Sequence, residues 1–227
     1  MINRALALEN DSTYQHKKSW QSFSKGEKLE FDGKALVENI LSLVKSNWQG
    51  GGGRKSRSSQ NWRWEPRPKK APRNKSSEVV VERRIVRTIG KDWTNQVPVA
   101  SGLTRFKEGR RAIDLVHRRG KGWYDFIELK MSERAGTPVF AAMEILQYGV
   151  LYIFSRENAI ALRYDVTKNE MLRAIGIHLK VQAPAIYYKG CDLSLSQLEK
   201  SINTRLSKFL AQGKRGFEMD FRFEPLL

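Results

Sequence analysis

The sequence predicts a mixed α/β domain, one sheet flanked by helices, behind a basic N-terminal extension. Three observations predict it. From residue 76 onward, stretches with helical spacing of apolar residues alternate with short β-prone runs. Two such runs, 111–118 and 123–131, flank Gly120-Lys121-Gly122 and are apolar on both faces, the mark of strands covered on two sides. Residues 138–154 are apolar almost all round, as a buried helix is.

The elements follow in order. Residues 33–47 place Leu36, Val37, Ile40, Leu41, Leu43 and Val44 at helical spacing, giving one amphipathic helix that needs something to pack on. Residues 49–77 are rich in Gly, Pro, Ser and Asn and argue against a packed element. Residues 77–89 form a helix capped by Ser76 or Ser77 and ended by Gly90. Residues 95–100 make a short strand, at an edge or irregular because it holds Pro98. After the hairpin, Thr137-Pro138 opens the long helix, which runs to about Ser155. Residues 159–166 read as a strand, "KNEMLRAIG" as a short helix, and 177–188 as a strand broken near Pro184. Residues 193–213 form an amphipathic helix ending in Gly213, and 217–224 alternate strictly as a last strand. The domain organisation is 1–48 as an extension, 49–75 as a basic linker and 76–227 as the folded domain.

Lys and Arg number 41 against 24 Asp and Glu, a formal net charge of +17. Such a surplus favours a polyanionic partner. Nucleic acid is preferred to a membrane, since no basic amphipathic anchor appears and the longest apolar run, 149–154, is too short to span a bilayer. The N-terminus lacks the apolar core of a signal peptide, and the single cysteine, Cys191, expected to be a small buried hydrophobe, forms no internal disulfide. The expectation is cytoplasmic. Residues 49–77 carry nine basic residues and one acid. Arg54, Lys55, Arg57, Arg63, Arg67, Lys69 and Lys70 could follow a phosphate backbone there, with Trp62 and Trp64 stacked on bases. Alternatively those tryptophans dock on the domain. Arg105, Lys107, Arg110 and Arg111 make a second basic stretch able to guide a strand.

Asp114, Glu128 and Lys130 interrupt apolar strands, and a charge taken out of water calls for a partner or a metal. Glu128 and Lys130 share a face. A three-residue loop at 120–122 sets Asp114 opposite Glu128; a two-residue loop sets it opposite Ile127. Two close carboxylates repel, and oxygen-only ligands suit Mg²⁺ or Mn²⁺. On the 77–89 helix, Val79, Val81, Ile85, Val86 and Ile89 form one stripe, and Glu78 and Glu82 fall near its middle. Glu78 is explained as a first-turn acid; Glu82 is not. Glu144, Gln147 and Tyr148 put a polar stripe on the long buried helix, facing the hairpin charges or forming a hydrogen-bond network of their own.

Glu82, then Asp114 in "AID", then Glu128-Leu129-Lys130 in "ELK", then a helix: this order resembles the PD-(D/E)XK nuclease superfamily over roughly residues 76–165. Ile113 stands where the motif has its proline, and Leu151 follows Gln147 where some branches have tyrosine. The resemblance implies a restriction-endonuclease-like core acting on DNA, with RNA not excluded. It implies one or two Mg²⁺ held by Asp114, Glu128 and the Leu129 carbonyl, Glu82 completing the shell, and Lys130 orienting or activating water. The chemistry agrees. Phosphodiester hydrolysis needs an in-line water, neutralised phosphoryl oxygens and help for the leaving oxygen. A nearby ammonium stabilises charge or moves a proton, and its pKa can fall when it is desolvated. Two other readings stand beside the nuclease: a silent nucleic-acid-binding module of the same fold, or a subunit docked to a protein partner through residues 33–47.

Overall fold

A computed structural model describes residues 33–52, 58–69, 76–104, 111–132, 137–189, 192–211 and 216–226. Cys191 and the basic residues Arg54, Lys55, Arg57, Lys70, Arg105, Lys107 and Arg110 lie outside them. The elements are α1 (Gly33–Asn47), α2 (Ser77–Thr88), β1 (Trp93–Pro98), β2 (Ala112–Gly120), β3 (Trp123–Leu129), α3 (Pro138–Glu157), β4 (Gly176–Ala183), α4 (Ala185–Tyr188), α5 (Asp192–Ala211) and β5 (Glu218–Pro225).

One five-stranded sheet runs in the order β1-β2-β3-β4-β5. The first three strands form an antiparallel meander, and β4 and β5 continue parallel to β3. Parallel neighbours need crossover connections, which α3 supplies before β4 and α5 before β5. These two helices pack on one face of the sheet and α2 on the other, over β1 and β2. The mixed α/β class is therefore as the sequence predicts, with both sheet faces covered around the hairpin.

α3 starts where Thr137 caps it, its hydroxyl accepting the Phe140 N–H at 3.2 Å, with Pro138 in the first turn. Among the described residues it is the one helix long and apolar enough to cross a membrane. The protein itself covers it: Ala141, Met143, Ile145, Leu146 and Leu151 are fully buried. Gly149 lets α3 sit directly on β4, since a Cβ there would lie 2.5 Å from Leu179.

Several expectations change. The apolar face of α1 does not lack a mate: Leu36, Val37, Ile40 and Val44 are buried against α3 and α5. Residues 58–69 are not a bare linker. Trp62 is fully buried, stacked on Phe126 at 6.4 Å and edge-on to Tyr152 at 5.5 Å. Residues 159–166 are a turn rather than a strand. Leu162 and Tyr164 point inward and Ile160 outward, so the apolar alternation is satisfied by a chain reversal after α3. The strand expected over 177–188 stops at Ala183, because Pro184 opens the short helix α4. Ile89, counted in the α2 stripe, is exposed just past the helix end.

Candidate functional site

The hairpin reaches its register by an unexpected route. Gly120 pairs with Trp123 and Arg118 with Tyr124, so the turn has two residues and Arg119 is bulged out. Gly120, Lys121 and Gly122 all have positive φ, which two glycines adopt at little cost. The bulge restores the register of an odd loop. Leu115 lies opposite Ile127, and Asp114 is therefore one step further on, opposite Glu128.

At that step the sheet forks. Ile113 and Ala112 remain paired with β1, while Glu128 and Leu129 remain paired with β4. Between the branches the Asp114 carboxylate replaces the backbone, its Oδ2 accepting the Leu129 N–H at 2.9 Å. Lys130 continues from β3, its own N–H donating to the Gln182 carbonyl. The Lys130 ammonium donates to Glu128 Oε1 at 2.7 Å and to Glu144 Oε2, from α3, at 2.9 Å.

Electrostatics tie these groups together. Burial, then the charges of Asp114 and Glu144, push Glu128 well above the ordinary glutamate pKa against the pull of Lys130. Burial likewise raises Asp114 to about 6, with the Leu129 N–H and Lys130 opposing. Glu82 is fully buried on α2 and raised to about 7, first by desolvation and then by the Asp114 charge. Its Oε2 accepts from Gln96 Nε2 at 2.9 Å, and its Oε1 makes no hydrogen bond. Burial works against the Lys130 ammonium, but Glu128 and Glu144 outweigh it and hold its pKa above the usual lysine value. The expectation of a lowered lysine pKa is thus corrected: the two carboxylates keep Lys130 charged. Tyr148 is buried, and desolvation with the charges of Glu128 and Glu144 raises its pKa, so it stays a phenol.

Glu78 has a different role. Burial favours its neutral form, but hydrogen bonds from Ser76, its own amide and the Met131 amide outweigh that and lower its pKa. It is a first-turn acid bound to donors of its own turn and to the Met131 amide, and Glu82 is the helix carboxylate whose charge meets Asp114. Gln147 is buried with both amide atoms lacking a hydrogen-bond partner. Tyr152, one turn beyond Tyr148, belongs to the core and donates to the Met171 carbonyl at 2.7 Å.

The basic residues divide. Trp62 is unavailable for stacking on bases, and Trp64 is half-buried against Tyr124, with the Arg118 guanidinium 4.2 Å from its ring centroid. The domain-docking reading of these tryptophans is the observed one, because large aromatic surfaces gain more from burial than from water. Arg63, Arg67 and Lys69 remain exposed, and Arg111 is half-buried at the entry to β2.

Gln96 was not expected at the site. Its only sequence signal is a polar residue in an otherwise β-prone edge strand. Asp125 was also missed, although the charge-in-core argument applies to it as well. It lies on the opposite strand face from Glu128, where Lys180 and His117 each approach its Oδ2 to 3.3 Å.

Oxygen ligands at the fork suit a hard divalent cation. Among the described residues no group of three or more His, Cys, Asp or Glu side chains stands ready to hold a metal. The fork instead offers two facing carboxylates beside the buried, unbonded Glu82 Oε1. The Asp114 charge raises the pKa of both Glu128 and Glu82, which marks unmet demand for positive charge, so the donor set fits such an ion.

The chain matches no protein-family model, no curated protein and no solved structure.

Proposed function

We propose that the protein is a metal-dependent nuclease that hydrolyses phosphodiester bonds of DNA. The observation that carries this reading is the convergence of Asp114, Glu128 and Lys130 at the fork, each charge perturbed by the others. Perturbed acids gathered beside a fixed cation are the chemistry of a site more often than of a scaffold. The net charge of +17 supports a polyanionic substrate. The order Glu82, Asp114, Glu128-Leu129-Lys130, helix also supports a PD-(D/E)XK type of site.

Asp114, Glu128 and the Leu129 carbonyl would hold Mg²⁺ or Mn²⁺, with Glu82 beside them. The ion would neutralise phosphoryl charge and lower the pKa of water. Lys130, held charged, stabilises the negative charge that develops on the phosphoryl oxygens rather than accepting a proton. Glu144 positions that ammonium from α3. Glu82, with a pKa of about 7, can exchange a proton near neutral pH. Tyr148 stays a hydrogen-bond donor.

The test is incubation of purified protein with supercoiled plasmid, with end-labelled single and double DNA strands, and with RNA, in Mg²⁺, Mn²⁺ or chelator. The expected result is ion-dependent DNA cleavage that Asp114→Asn and Lys130→Met abolish. Cleavage that persists in both variants overturns the reading. A second reading, a silent nucleic-acid-binding module, draws on the ion pairs that Lys130 makes with both Glu128 and Glu144. Folded protein that binds DNA and leaves it intact under all conditions would favour it.

A further inference from the structure

A recess of about 330 Å³ lies between the 58–67 segment and the β1–β2 edge of the sheet. The segment is fixed over that edge, with the Trp62 N–H donating to the Pro98 carbonyl at 2.8 Å and the Arg67 N–H to Asn95 Oδ1 at 2.9 Å. Two walls of the recess lead to the carboxylate fork. Gln96 lines it and at the same time holds Glu82. Ala112 lines it and lies two residues before Asp114, on the same strand face.

The lining is half apolar, from Pro98, Val99 and Ala112, and half polar, with two cations. Arg67, Arg111, Ser58 and Gln60 contribute to it; no aspartate or glutamate among the described residues lines it, although Glu65 pairs with Arg67 at 3.6 Å from outside. The Arg111 charge extends to Tyr148, where it opposes Glu128 and Glu144. A cationic recess adjoining an acidic cluster separates two tasks. The carboxylates suit a metal and a reacting phosphate, and the arginines suit an unreacted phosphate beside it. The volume is at the lower end of ligand sites, room for about one nucleotide and far too small for a duplex.

We infer that this recess is a nucleotide subsite that holds the nucleotide adjoining the scissile phosphate, so that the site takes a single strand. The inference rests on the nuclease reading and adds to it a strand preference and a place for the neighbouring nucleotide. A nucleotide of a single strand can enter the recess directly. A blunt duplex can do so only after its end has opened, at the cost of unstacking and unpairing.

The test separates the subsite from the chemistry. Anisotropy of a labelled short oligonucleotide, single-stranded or as a blunt duplex of the same sequence, measures binding in chelator at fixed salt. Gln60→Trp fills the recess from an exposed turn, and Arg67→Ala removes a cation while keeping the N–H that Asn95 accepts. Thermal midpoints check that both variants fold, and Arg67→Ala decides if Gln60→Trp does not. The expected result is tighter wild-type binding of the single strand, weakened about tenfold or more in the variants. Equal single-strand affinity in wild type and Arg67→Ala, or wild-type preference for the blunt duplex, overturns the subsite. Hydrolysis of bis-(p-nitrophenyl) phosphate by wild type with Mn²⁺ reads the chemistry alone. Its absence would count against the nuclease reading, while the binding data still decide the subsite.

Discussion

Lys130 and Glu144 meet at 2.9 Å, one at the end of β3 and the other a turn and a half into α3. That ion pair joins the sheet to its central helix and leaves Lys130 with two carboxylates, Glu128 being the other. Replacing Lys130 by methionine leaves both acids half-buried or buried beside Asp114 without a counter-charge. Breaking a pair of this kind costs about 3–5 kcal/mol. Urea denaturation at pH 7 measures the loss. The deficit shrinks as pH falls and the acids take up protons; a loss that is constant with pH would assign it to packing instead.

Glu82 gives the pH dependence a definite sign. Its folded pKa of about 7 exceeds its ordinary value of 4.5, so the folded state binds the proton more tightly than the unfolded state does. The stabilisation from that proton is present below about pH 4.5 and is lost as pH rises through 7. Its size is on the order of 3 kcal/mol. Glu82→Gln keeps a neutral side chain at every pH. Its stability profile between pH 5 and 8 should be flatter than that of the wild type, and parallel profiles would contradict the assignment.

Divalent cations should reverse that loss. An ion bound only by the folded state stabilises it, by about 2.7 kcal/mol at a hundred times the dissociation constant. The thermal midpoint should rise with Mg²⁺ or Mn²⁺ at pH 7.5. The rise should be smaller at pH 5, where protons compete for Asp114 and Glu128. Asp114→Asn should remove it, and an equal rise in that variant would place the ion elsewhere.

Trp62 distinguishes a docked segment from a loose arm. It is fully buried among Phe126 and Tyr152. Trp62→Ala should cost about 3–5 kcal/mol in chemical denaturation. Unchanged stability would mean that the 58–69 segment contributes nothing to the core.

Periodicity made most of the architecture legible. The spacing in 33–47, 77–89 and 193–213 and the apolar run after Pro138 correspond to helices, and the runs about Gly120-Lys121-Gly122 correspond to the hairpin. Asp114, Glu128 and Lys130 were legible because a charge inside an apolar strand has few reasons to be there. What the pattern lacked was distance. Nothing local to Trp62 says that it reaches Phe126, and nothing in residues 159–166 separates a turn with two inward side chains from a strand. Asp125 shows the limit of the charge argument. Strand parity puts it on the other face, where Lys180 and His117 pair with its Oδ2 away from the fork, while its Oδ1 makes no hydrogen bond. The helix spacing put Glu78 and Glu82 on one stripe, but only the packing of α2 shows that Glu82 meets Asp114 and Glu78 the donors of its own turn and the Met131 amide.

The same contacts that fix the 58–67 segment also cover part of one margin of the sheet. The Trp62 N–H occupies the Pro98 carbonyl on β1, and Pro98 itself has no N–H to offer. The opposite margin is closed by α5: Asn203 both donates to the Phe221 carbonyl at 2.8 Å and accepts its N–H at 2.7 Å, and Glu199 accepts the Phe223 N–H at 3.0 Å. A backbone N–H at the first margin and side chains at the second thus take bonds that another chain's strand would use for edge-to-edge pairing. A sheet blunted at both margins resists ordered self-association, the standing hazard of exposed strands.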